Sequence, residues 1–80
     1  MCDTVVALPR AAQEGHTLLA KNSDREPDEA QAIIHCPRTL HTKASVQCTF
    51  IAIPQVSETY ECILSKPFQM WGAEMGVNEY

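Results

Sequence analysis

Eighty residues, 45% of them apolar and 20% charged, fit one small folded domain with a marginal core and argue against a disordered tail. A net charge of −4 with no Lys/Arg run excludes an electrostatic binder of nucleic acid or anionic membrane. The longest apolar runs, such as Phe50-Ile51-Ala52-Ile53, are far too short for a membrane span. No basic segment followed by an apolar one marks export, so a cytoplasmic location is expected.

The chain opens on Met1-Cys2-Asp3-Thr4. Methionine before a small residue is commonly removed by the cell's processing aminopeptidase, which leaves a thiol and a free α-amine together on Cys2. A free thiol ordinarily titrates near 8.5 and an α-amine near 7.7–8.0, so one residue supplies a nucleophile and the base that activates it. That is the logic of N-terminal nucleophile hydrolysis. An incidental second-position cysteine is the competing reading of these four residues alone.

Cys2 to Leu8 alternates loosely, is rich in β-branched residues and predicts a strand ending at Pro9. Ala11 to Gly15 is a polar connection in which Gly15 suits a positive φ. Thr17 to Lys21 predicts a second strand, and a hairpin between the two brings Asn22-Ser23-Asp24 back towards Cys2. Residues 22–31 are polar, and Pro27-Asp28-Glu29 reads either as one helical turn or as loop. Ala32 to Cys36 predicts a third strand, stopped by Pro37.

Val46 to Ile53 is the clearest strand pattern, with Val46, Cys48, Phe50 and Ala52 on one face. Glu58 to Leu64 predicts another, stopped by Pro67. In the last segment Gly72 and Gly76 read as a turn with Asn78 and Glu79 at its tip. Met70, Trp71 and Met75 are expected to pack in a core or against a sheet. No segment has the pattern of an amphipathic helix. The reading is mostly antiparallel β, with strand edges that need partners.

Cysteines at 2, 36, 48 and 62 allow three pairings as two disulfides, but a chain without an export signal is expected to keep them as free thiols. Cys36, Cys48 and Cys62 then fit strand interiors as inert thiols. His35, Cys36, His41 and Cys48 lie close in sequence but lack the spacing of a zinc site, so neither metal nor cofactor is expected. His16, His35 and His41 sit in no motif.

Three motifs in register carry a resemblance. Cys2-Asp3-Thr4 with Val6-Ala7-Leu8-Pro9, then Lys21-Asn22-Ser23-Asp24-Arg25, then Trp71-Gly72-Ala73-Glu74-Met75-Gly76-Val77-Asn78-Glu79 resemble the secernin and dipeptidase family of cysteine N-terminal nucleophile hydrolases. The similarity runs in order over essentially all 80 residues. Members of that family are several times longer. The resemblance therefore implies that residues 1–80 are the N-terminal portion of one such domain, truncated at its C-terminal end. It also implies an α+β fold, the αββα sandwich, of which this portion supplies mostly antiparallel β.

The same resemblance implies hydrolysis of an amide bond in a dipeptide or similar small substrate, with Cys2 as nucleophile. Asp24 matches the position whose carboxylate orients the nucleophile's amine. Lys21 matches a position near the nucleophile that is often arginine, where a cation favours the thiolate; lysine lacks arginine's bidentate fork. Read without the resemblance, Asp24, Asn22 and Ser23 equally suit a capped turn. Arg25 reads as an ion-pair partner, and Asn78 as a turn residue, the family's oxyanion asparagine falling beyond Tyr80. A non-catalytic, secernin-like regulatory protein linked with secretion is the alternative. Self-association, or pairing with the rest of the domain, is the partner that open edges imply.

Overall fold

A computed structural model describes residues 1–80. It contains nine strands in four antiparallel sheets and almost no helix. The first strand, β1 (Asp3–Ala7), pairs with β2 (Leu18–Asn22) in the expected hairpin. Its connection holds one 3₁₀ turn, Gln13–Gly15, in which Gly15 takes φ +70° as its position predicts, while Glu14 beside it takes φ +65°. A side chain is strained in that left-handed conformation. Residues 23–30 form loop, closed locally by the Glu29 N–H donating to the Glu26 carbonyl at 3.0 Å.

The middle of the chain is one long β-ribbon folded back on itself. β3 (Gln31–Cys36) pairs with β8 (Cys62–Pro67), β4 (Thr39–Leu40) with β7 (Glu58–Thr59), and β5 (Ser45–Gln47) with β6 (Ala52–Pro54). One register carries through the first two ladders. It slips by one residue before the third, where the four residues 41–44 face the three residues 55–57. An extra residue on one strand is the signature of a β-bulge, which bends and twists the ribbon. The final strand, β9 (Met75–Asn78), lies on the other side of β8 and makes the sheet order β3-β8-β9.

Two expectations are corrected by this ribbon. Val46–Ile53 is not one strand: Val46 faces Ile53 across a hairpin, and the Cys48 N–H donates to the Ile51 carbonyl at 2.8 Å to close the turn. The register fixes the reversal there, although Cys48-Thr49-Phe50-Ile51 contains none of the usual turn residues. Glu58–Leu64 is split: the ladder breaks at Tyr60-Glu61, opposite Pro37-Arg38 in the same register, and resumes at Cys62. Pro67 ends β8 as expected; it lies opposite Gln31, and the Phe68 N–H still bonds the Ala30 carbonyl at 2.9 Å in the same register.

The C-terminal segment is also corrected. Gly72 does sit in a turn, at φ +84°. Gly76 instead lies inside β9, opposite Leu64, and Asn78 is a strand residue rather than a turn tip. Glycine is required at position 76 by close approach, since a Cβ there would come within 2.6 Å of the Ile63 carbonyl oxygen.

No apolar side chain is part of a buried core; only Ser65 and Pro67 are buried. Trp71 and Met70 are about half exposed, against the expectation that they pack in a core. On the three-stranded sheet, Ile33, Ile63 and Val77 all remain open to solvent. The Cα radius of gyration is 15.1 Å, against about 12 Å for a compact chain of this length. The molecule is a slab 17 Å thick, with 29 backbone–backbone hydrogen bonds where a domain of this size makes roughly 55. Most strand edges are therefore open. The mostly antiparallel β part of the expected fold is present, and these residues form no helical layer. No helix is long and apolar enough to cross a membrane.

Candidate active site

The register of the first hairpin builds the site. Asp3 faces Asn22, so the residues just outside the ladder, Cys2 and Asp24, become neighbours at its open end. The Asp24 backbone N–H donates to Cys2 Sγ at 3.4 Å. The Asp24 carboxylate accepts a hydrogen bond from the α-ammonium of Met1 and forms an ion pair with it. One residue thus touches both the sulfur and the chain's terminal amine. Cys2 is exposed, so its sulfur is open to a reactant.

Lys21 is directed elsewhere. Its ammonium donates to Glu74 Oε1 at 2.6 Å, and the Ser23 hydroxyl donates to Glu74 Oε2 at 3.1 Å. The Lys21 and Glu74 side chains are only 13% and 16% exposed, which makes this the best-shielded ion pair of the molecule. Lys21, helped by Ser23, holds the Glu74 carboxyl below the usual carboxylate range. The pair ties the end of β2 to the segment entering β9, so the second and third motifs meet here just as the first and second meet at Cys2.

Arg25 is an ion-pair partner, as read from the sequence, with a partner the sequence did not name. Its guanidinium donates to Glu29 across 2.6 Å, and Gln69 donates to the same carboxylate at 2.8 Å. Glu29 raises the Arg25 pKa, with smaller contributions from the charges of Glu74 and Cys2. Arg25 in turn, with Gln69, holds Glu29 low. Arg25 is thus held in an ion pair with Glu29, on the loop that follows Asp24. Its place directly after Asp24 was the available signal, but a loop gives no periodicity from which to read direction.

The remaining polar residues lie apart from this end. Asn78 Oδ1 accepts the Tyr80 backbone N–H at 3.0 Å, His35 pairs with Glu61 at 2.7 Å, and His41 with the Thr59 hydroxyl at 2.8 Å. Surface depressions exist, but none is lined by Cys2 or Asp24. One of about 140 Å³ includes Lys21 with Leu19, Ser65 and Met75. The arrangement at Cys2 is thus an exposed thiol beside a carboxylate that pairs with the terminal ammonium, without walls to enclose a substrate.

No family model matches the chain, and no solved structure matches it at a significant level.

Proposed function

We propose that the chain is the N-terminal part of a cysteine N-terminal nucleophile hydrolase of the secernin and dipeptidase type, acting on the amide bond of dipeptides or similar small substrates. The observation that carries this reading is Asp24, whose amide holds the Cys2 sulfur while its carboxylate holds the terminal α-ammonium. Further support comes from the meeting of all three motifs, at Cys2–Asp24 and at Lys21–Ser23–Glu74.

Removal of Met1 makes the terminal amine that of Cys2, and Asp24 is the carboxylate to orient it. The free amine accepts the thiol proton while Sγ attacks the substrate carbonyl carbon, and the carbonyl π electrons move to oxygen. Collapse of the tetrahedral adduct breaks the C–N bond, and the leaving amine takes the proton held by the Cys2 ammonium. Water, deprotonated by the same amine, then cleaves the thioester to the free acid and restores the thiol. Lys21, bound to Glu74, acts here by fixing the strand end that carries Asp24.

The open sheet faces and the unwalled site support a domain of the αββα kind, completed by further chain that supplies helical layers, substrate walls and oxyanion donors. Residues 1–80 alone are accordingly expected to be inactive. The test is dipeptide turnover by the full protein from its source, compared with Cys2→Ser and Cys2→Ala. Both substitutions should abolish turnover, and normal turnover by Cys2→Ser would overturn the assignment.

The open strand edges also favour a second reading, a non-catalytic secernin-like protein that binds a partner chain in regulated secretion. Such an adaptor tolerates Cys2→Ala without loss of its cellular role.

A further inference from the structure

We propose that Cys36 and Cys62 form a cross-strand dithiol that is reversibly oxidised to a disulfide by a small disulfide such as glutathione disulfide. The two residues are direct partners at the end of the β3–β8 ladder. The bond from the Phe68 N–H to the Ala30 carbonyl lies six residues away in the same register, and Pro67 with no N–H lies opposite Gln31. Hydrogen-bonded and non-hydrogen-bonded pairs alternate along an antiparallel ladder, so Cys36 and Cys62 occupy a hydrogen-bonded pair with a Cα separation of about 5.5 Å. That separation falls in the Cα range of disulfides, about 4.4–6.8 Å, and closing the bond draws the two Cβ atoms together to about 3.5–4.5 Å. Directly opposed side chains also share one face of the sheet.

Both thiols are free and half-buried, which leaves them reachable. Cys62 lines an open cavity of about 290 Å³ between β8 and β9. The two carboxylates at its rim are already engaged, Glu61 with His35 and Glu79 with Arg38. Burial and the facing Cys36 sulfur together hold the Cys62 thiol above the ordinary thiol range, as expected of two sulfurs held close. Cys48, by contrast, sits in the ribbon's tip and faces no cysteine. The expectation that Cys36 and Cys62 are inert strand-interior thiols therefore gives way to a paired site.

The step balances through two exchanges. One cysteine thiolate attacks a sulfur of glutathione disulfide, breaking its S–S bond, forming a mixed disulfide and releasing a glutathione thiolate. The facing thiolate then attacks the protein sulfur of that mixed disulfide and releases the second glutathione. The two protons of the cysteine thiols end on the two glutathiones, so two protein thiols are oxidised and one glutathione disulfide is reduced.

The experiment uses the full chain carrying Cys2→Ser and Cys48→Ser, equilibrated in glutathione redox buffers, quenched with acid and read by intact mass and non-reducing peptide mapping. The folded chain should give an internal Cys36–Cys62 disulfide with an equilibrium constant at least about tenfold larger than the same chain in guanidinium chloride, where the register is lost. Adding Cys36→Ser or Cys62→Ser should leave a single stable glutathione adduct on the remaining thiol. Equal constants in the folded and denatured chain, or stable adducts on both cysteines together, would overturn the proposal.

Discussion

Lys21 and Glu74 are 53 residues apart in the chain, and their side chains meet at 2.6 Å in a pair almost closed to solvent. This contact joins the hairpin that carries Cys2 and Asp24 to the three-stranded sheet. Lys21→Ala should therefore loosen the hairpin end, seen as faster amide exchange at residues 22–24 and as lower turnover in the full protein. Lys21→Arg, which keeps the charge, should restore much of both. Unchanged exchange in Lys21→Ala would remove the positioning role.

The same pair sets a pH dependence. Lys21 lowers the Glu74 pKa in the folded chain, so the pair's stabilisation is fully present above the ordinary carboxyl range, about 4.3. It is lost as pH falls through the lowered value, because Glu74 must then bind a proton that the unfolded chain already holds. Thermal stability should fall in acid below about pH 4.3, and Glu74→Gln should flatten that part of the profile. A profile of the same shape in Glu74→Gln would contradict the account.

Asp24 is exposed, and the hydrogen bond from its backbone N–H to Cys2 Sγ does not need its carboxylate. Asp24→Asn should thus leave the hairpin intact while lowering kcat/KM of the full protein by about 10²-fold or more, the range for a lost positioned acid or base group. Circular dichroism should not change. Full activity in Asp24→Asn would separate the carboxylate from the chemistry.

Gly76 admits no larger side chain, because a Cβ would strike the Ile63 carbonyl. Gly76→Val should weaken the β8–β9 ladder by about 1–3 kcal/mol, the usual cost of forced overpacking. Hydrogen exchange at the β9 amides reports it directly. Gly72→Val meets no neighbour but must adopt φ +84°, so its cost should appear as local turn strain without loss of the ladder.

With no apolar side chain in a buried core, the 80 residues alone should bind the dye 1-anilinonaphthalene-8-sulfonate and melt over a broad range. A sharp transition without dye binding would show that the exposed isoleucines are covered in solution.

The first hairpin was legible because Pro9 and Gly15 punctuate two β-rich runs, and that alone brought Asp24 to Cys2. The ribbon was only half legible. Its strands show in the alternation, but its reversal at Cys48–Ile51 uses no glycine, proline or asparagine, and a long-range register sets it. The partners of Lys21 and Cys36 stayed hidden for the same reason, since Glu74 and Cys62 reach them only through pairings distant in sequence. Burial was misjudged at Met70 and Trp71 because apolarity marks what needs cover and does not say that cover is present.

The central claim is that Cys2 works as an N-terminal nucleophile with its own free amine. An N-terminal cysteine is the one protein residue with a 1,2-aminothiol, which condenses selectively with 2-cyanobenzothiazole. The measurement is intact mass of the protein from its native source before and after that reagent. The account predicts a chain lacking Met1 that gains one adduct, mapped to Cys2. A chain that keeps Met1 and gains no adduct would contradict it.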